Sequence, residues 1–162
     1  MQRVHVFDIA TEVWFVQSTT AELQLHPSGL YSFCSVVASA EDNSSHNIYI
    51  YGGWNEAEFS RSNEVWILTL PAFHWVPVYP VGGVEGGSDA LRTARHRCQK
   101  IHEKHMVAYQ GHNFNGSCNN EAGKFQGMLI YDMSSLEWTT KVGLENQKYL
   151  VPQVLYPIIG GG

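Results

Sequence analysis

Short apolar runs rich in β-branched and aromatic residues recur along this chain, each bounded by turn-forming residues. Val4-His5-Val6-Phe7-Asp8, Val65-Trp66-Ile67-Leu68-Thr69 and Met128-Leu129-Ile130-Tyr131-Asp132 align without gaps. A tryptophan follows the fifth residue of each by six positions, giving Trp14, Trp75 and Trp138 at spacings of 61 and 63. A second landmark, Ile48-Tyr49-Ile50-Tyr51-Gly52-Gly53, returns as Met106-Val107-Ala108-Tyr109-Gln110-Gly111. It begins once more at Pro157-Ile158-Ile159-Gly160-Gly161. Cys34 and Cys98, 41 and 40 residues before their tryptophans, are a third. Three landmarks in one order at one spacing mark an internal repeat.

The runs are dominated by Val, Ile, Tyr, Trp and Thr, which predicts strands. They are apolar on both faces rather than strictly alternating, which suits strands covered on both sides. One unit is expected to hold strands over 31–38, 46–52, 63–70 and 73–79. The next holds them over 96–102, 104–110, 125–132 and 137–143. Four strands per unit with turn-rich connections is the β-propeller plan. The expected fold is therefore all-β, an incomplete propeller of about two to three four-stranded antiparallel blades. Residues 1–30 form the last strand of a preceding blade and a linker, and 31–79 form one repeat. Residues 80–93 form a Gly-rich loop, 94–143 a second repeat, and 144–162 the start of a following blade. One stretch competes: Ser88 to Gln110 holds no Gly or Pro, and Leu91, Ala94, Cys98, Ile101 and His105 have helix-like spacing. The repeat alignment favours strands there, because Cys98 falls where Cys34 lies in a Ser-Phe-Cys-Ser-Val-Val run.

Each landmark has a physical role. Gly52 and Gly53 end a strand where the chain bends tightly or the backbone approaches closely, and Gly111, Gly160 and Gly161 repeat the position. Trp14, Trp75 and Trp138 are expected to pack between neighbouring blades, each burying about 150–250 Å². Asp8 and Asp132 can accept a backbone N–H two residues on and fix the turn before the tryptophan. In the middle unit Thr69, Leu70 and Pro71 make that turn differently.

A Tyr-Gly-Gly strand end, a Val-Trp/Tyr-x-Leu strand after it and a tryptophan on the outer strand together resemble the kelch repeat. The central domain of galactose oxidase is built on the same propeller. The resemblance covers nearly the whole chain. Ser44-Ser45-His46-Asn47-Ile48-Tyr49-Ile50-Tyr51-Gly52-Gly53-Trp54, Leu68-Thr69-Leu70-Pro71-Ala72-Phe73-His74-Trp75 and Tyr149-Leu150-Val151-Pro152 resemble a group of fungal kelch proteins in particular. In that group a single membrane helix typically follows the propeller, and members are often membrane or cell-wall anchored. The resemblance thus implies a C-terminal propeller fragment of a larger surface protein, with membrane contact only through sequence outside this chain.

Composition narrows the partners. The 162 residues carry a formal net charge of −5, with 15% charged and 12% aromatic residues. That excludes a charge-rich disordered chain. Without basic clusters, nucleic acid is not the main partner. No apolar run approaches the roughly 18 residues needed to span a bilayer. The N-terminal residues show no apolar core of a signal peptide.

Chemistry is sparse. His96, His102 and His105 fall within ten residues and could hold a divalent metal if they converged. On a strand, however, residues three apart point to opposite faces, so no metal site is expected. The galactose oxidase resemblance suggests a copper radical oxidase, but its Tyr, His and Cys–Tyr set finds no matching positions here. No Gly-x-Ser-x-Gly elbow or phosphate loop is present. Glu56, Glu58 and Glu64 lack an acid/base partner, and no cofactor is expected. Equivalent strands of neighbouring blades stand too far apart for a bridge between Cys34 and Cys98, which needs Cα atoms within about 7 Å. Cys98 with Cys118 is the expected disulfide, the alternative being three reduced thiols. Asn43 and Asn115 head glycosylation sequons in loops.

The leading expectation is a non-catalytic kelch-repeat interaction or scaffold module. Trp54, Asn55, Glu56, Phe59 and Arg61 in one loop, and His112, Asn113, Phe114 and Asn115 in its equivalent, are the expected exposed recognition residues. The alternatives are a propeller enzyme of the oxidase or carbohydrate-active type and a truncated product without independent function. Two complete units cannot close a ring, so open blade edges are expected to bind a protein partner or a second copy of the chain.

Overall fold

A computed structural model describes residues 1–27, 29–78, 92–109, 111, 128–139, 141–143 and 148–159. The chain opens with a hairpin of β1 (Arg3–Asp8) and β2 (Val13–Ser18), followed by the two-residue strands β3 (Thr20–Ala21) and β4 (Leu30–Tyr31). The first blade is built from β5 (Cys34–Ser39) and β6 (His46–Tyr51). A loop hairpin of β7 (Trp54–Asn55) and β8 (Ser60–Arg61) follows, then β9 (Val65–Leu70) and β10 (His74–Val78). The second blade holds β11 (Arg97–Ile101), β12 (His105–Tyr109), β13 (Met128–Asp132) and β14 (Glu137–Thr139). The fold is all-β and propeller-like, and the stretch that could have formed a helix is the hairpin β11–β12.

Strand order is β3-β10-β9-β6-β5 in the first blade and β11-β12-β13-β14 in the second. All neighbours are antiparallel except β3, which lies parallel to β10. Alternation along the first blade divides its side chains between two cores. Val36, Ala38, Tyr49, Tyr51, Val65, Ile67, Val76 and Val78 face the second blade and meet Met106, Ala108, Tyr131, Met133 and Trp138. Ile50, Trp66, Leu68 and Trp75 face the other way, towards Val4 of the first hairpin. Burial on both faces explains why these strands read as continuous apolar runs.

Trp75 and Trp138 therefore each point towards the preceding unit and are buried. Trp14 departs from the expected packing between blades. It is 66% exposed beside exposed Phe7 and Val16, because no described element lies against that face of the hairpin. The Tyr156–Ile159 segment, aligned with the strand before Gly52, is a helical turn rather than a strand. Leu155 just before it is fully buried in the inter-blade core. Among the described residues no helix is long and apolar enough to cross a membrane.

Candidate functional site

The blade ends differ in character. Cys34 pairs across the sheet with Tyr51, and Ser39 with His46, so the strands run between two loop faces. At the Ser39 end, Glu41, Asp42, Ser44, Tyr149 and Leu150 line a cavity of about 480 Å³. Inside that end, Asn47 Nδ2 donates to Tyr149 Oη at 3.0 Å, the Tyr49 and Tyr149 hydroxyls share a bond of 2.9 Å, and Tyr49 Oη donates to Met133 O at 2.8 Å. Burial pushes the Tyr149 hydroxyl up to about 12 and Tyr49 well above its ordinary value, so both stay neutral.

The Cys34 end carries the expected recognition loop. The strands β4, β7 and β8 form a small antiparallel sheet there. Its register opposes Tyr31 to Trp54 and Trp54 to Arg61, which sets three side chains in one row. The Arg61 guanidinium lies 5.8 Å from the Trp54 ring centroid, within cation–π range. Tyr31, Ser32, Trp54, Arg61, Ala94 and Arg95 line a cleft of about 290 Å³. Arg61 and Arg95 make no ion pair among the described residues. Tyr31 and Arg95 are exposed, and Trp54 and Arg61 are half-buried.

Backbone hydrogen bonds hold this face rigid. Gly53 N–H donates to Thr93 O at 2.9 Å, Thr93 N–H to Ser62 O at 3.2 Å, and Arg95 N–H to Ser32 O at 3.0 Å. The segment that enters the second blade is thus stitched to the loops of the first. Gly52, with φ +62°, leaves room that a Cβ would lose, since it would stand 2.8 Å from both His96 Cε1 and Thr93 O. Gly111, with φ +105°, meets the same segment, where a Cβ would lie 2.6 Å from Thr93 Oγ1 and 2.8 Å from His96 Cβ. The repeat glycines of both units converge on residues 93–96.

His96 is buried just before β11. It lies at the far end of β11 from His102 and His105, so the three do not form one cluster. Its ring packs 5.0 Å from the Tyr51 ring, and neither nitrogen has a hydrogen-bond partner of good geometry. Burial pushes its pKa down to about 4, partly offset by the Tyr51 backbone. The cysteine expectation is corrected: Cys98 is bonded to Cys34, not Cys118, with Cα atoms 5.4 Å apart. These residues lie on the adjoining strands β5 and β11, where the two blades come together, and equivalent positions fall within bridging range there.

The remaining sequence candidates take these places. Asn55 is buried rather than exposed, and its carboxamide oxygen accepts from Ala57 N–H at 3.0 Å and Glu58 N–H at 3.3 Å. It shapes the loop that presents Trp54. Glu56 and Phe59 are exposed on the same loop. Glu64 accepts from the Trp66 indole N–H at 2.9 Å, and Glu58 accepts from Ser60 Oγ. Asp8 accepts from Ala10 N–H at 2.8 Å and Asp132 from Ser134 N–H at 2.9 Å, ahead of Trp14 and Trp138. Burial raises the Asp132 carboxyl, but Lys104 and the Ser134 and Ser135 N–H groups outweigh it and hold it below the ordinary range. His105 is buried 3.6 Å from Asp132, and burial lowers its pKa against the pull of that carboxylate. Asn43 is exposed in the turn between β5 and β6. His112, Asn113, Phe114, Asn115, Cys118, Gly160 and Gly161 lie outside the described residues.

Two packed antiparallel blades, the first extended by the short parallel strand β3, with a loop cleft at one end define a propeller-type repeat module. The chain is similar to a kelch repeat-containing protein of Arthroderma benhamiae, 30% identical over 190 residues, which takes in 99% of this chain and 26% of that protein. The likeness supports kelch-type repeats here, while the chain spans about a quarter of the length of the curated relative it matches. No family model matches the chain.

Proposed function

We propose that this chain is a non-catalytic kelch-type module that binds a protein partner through the cleft between β4, β7, β8 and residues 94–95. The observation that carries this reading is the row Tyr31–Trp54–Arg61, with Arg95 beside it. Aromatic and arginine side chains are those that most often dominate binding energy, because they bring large contact area at modest entropic cost. The Gly53–Thr93–Ser62 hydrogen bonds fix them before any partner arrives, which lowers the ordering penalty of association. The kelch-type relative supports an interaction or scaffold role.

In the same reading this array belongs to a longer surface protein, and a further blade covers the exposed Trp14 face. Trp14 occupies the register of the buried Trp75 and Trp138, and the relative is about four times as long. The role of the cleft is tested by placing a photo-crosslinking residue at Trp54 in cells that express the chain. A discrete crosslinked protein is expected from position 54, and none from the same residue placed at Asp42. Equal crosslinking from both positions contradicts the reading.

A further inference from the structure

We propose that Cys34, His96 and Cys98 form a redox-gated site for a thiophilic divalent ion, zinc, that joins the two blades when the disulfide is reduced. The ligand atoms of all three residues lie within 4.8 Å of one another. His96 is only 5% exposed, and both its ring nitrogens lack a hydrogen-bond partner of good geometry. Burying so poorly partnered a polar ring is unfavourable, so an apolar ring would serve packing against Tyr51 better than an imidazole does. The imidazole beside two sulfurs points to coordination instead.

The chemistry of the set selects the ion. Two thiolates and a neutral imidazole favour zinc over magnesium or calcium, which prefer oxygen. Zinc–sulfur bonds of about 2.3 Å and zinc–nitrogen bonds of about 2.0 Å in a tetrahedron hold the donor atoms roughly 3.5–3.8 Å apart. That separation falls inside the observed cluster once the sulfurs are no longer bonded. A dithiol reductant transfers two electrons and two protons to the Cys34–Cys98 bond and itself closes to a disulfide. Zinc then displaces both thiol protons, so Zn²⁺, two Cys–SH and His96 give the neutral bis-thiolate–imidazole complex and two H⁺. Cys34 belongs to the first blade and His96 and Cys98 to the second, so the joint persists in either state: covalent when oxidised, coordinate when reduced. Among the described residues the set supplies three ligands, which leaves a fourth coordination position open.

The test uses the full chain reduced with a phosphine and titrated with cobalt(II) as the visible stand-in for zinc. Thiolate-to-cobalt charge-transfer absorption should saturate at one equivalent, disappear on adding zinc, and be absent from the oxidised chain. His96→Ala should weaken binding by more than about tenfold, as expected for lost coordination. Cys118→Ser should leave it unchanged. Should His96→Ala not fold, the reduced native chain still decides: one equivalent of zinc must raise its melting temperature and leave that of the oxidised chain alone. No absorption in the reduced chain, no zinc-dependent rise in its melting temperature, full affinity in His96→Ala, or loss of the signal in Cys118→Ser each overturns the proposal.

Discussion

Gly52 stands close against His96, and each predicts a measurable behaviour. Gly52 needs a positive φ and has no room for a Cβ between His96 and Thr93. Gly52→Ala should therefore cost at least about 2 kcal/mol in denaturant unfolding, from backbone strain and overpacking together. A loss below about 0.5 kcal/mol would contradict the close approach. His96 is held neutral, with its pKa lowered from 6.5 to about 4 by burial. The unfolded chain takes up its proton near pH 6.5 and the folded chain only near pH 4. This contribution is present above about pH 6.5 and lost as the pH falls towards 4, by at most about 3 kcal/mol. His96→Gln should flatten the stability profile across that window, and an unchanged slope would show that the imidazole is not buried as described. The sequence marked both residues but not their relation. The Gly-Gly landmark is a local signal of a bend, whereas the partner it makes room for is 44 residues away.

At the scale of elements, the long strands were legible and the short ones were not. The runs at 46–52, 63–70 and 104–110 carry enough consecutive β-branched and aromatic residues to specify strands buried on both faces, and β6, β9 and β12 lie within them. The cleft sheet of β4, β7 and β8 is built from two-residue strands, which are too short to show a period. Tyr31 consequently went unrecognised beside Trp54 and Arg61, and Asn55 read as exposed when it closes a turn. The cysteine pairing failed for a geometric reason. Neighbouring blades diverge in general, but β5 and β11 adjoin each other. The linkage spans a sequence separation of 64. Reduction without metal should lower stability by about 4 kcal/mol on the loop-entropy scale. Peptide mapping of the unreduced chain should recover Cys34 joined to Cys98, and a Cys98–Cys118 peptide would refute the arrangement.

Among the described residues, the inter-blade interface is closed while the first hairpin has an open face. The inter-blade core is closed by Trp138, Tyr149 and Leu155, whereas the outer face of the first hairpin exposes Phe7, Trp14 and Val16. Contiguous apolar surface of this kind on a sheet with free edges favours association. Light scattering should find the isolated chain self-associating as concentration rises, and Trp14→Glu with Val16→Ser should shift it towards monomer. A monomer at every concentration would contradict this. The proposed recognition face lies elsewhere, at the end of the blades that carries Trp54, Arg61 and Arg95. The most direct test of that role compares the proteins captured from the native host by the wild-type chain and by a Trp54→Ala/Arg61→Ala variant with the same melting temperature. A specific partner should be held by the wild type and reduced at least about tenfold with the variant, as loss of two central contacts should produce. Equal capture by both chains would contradict it.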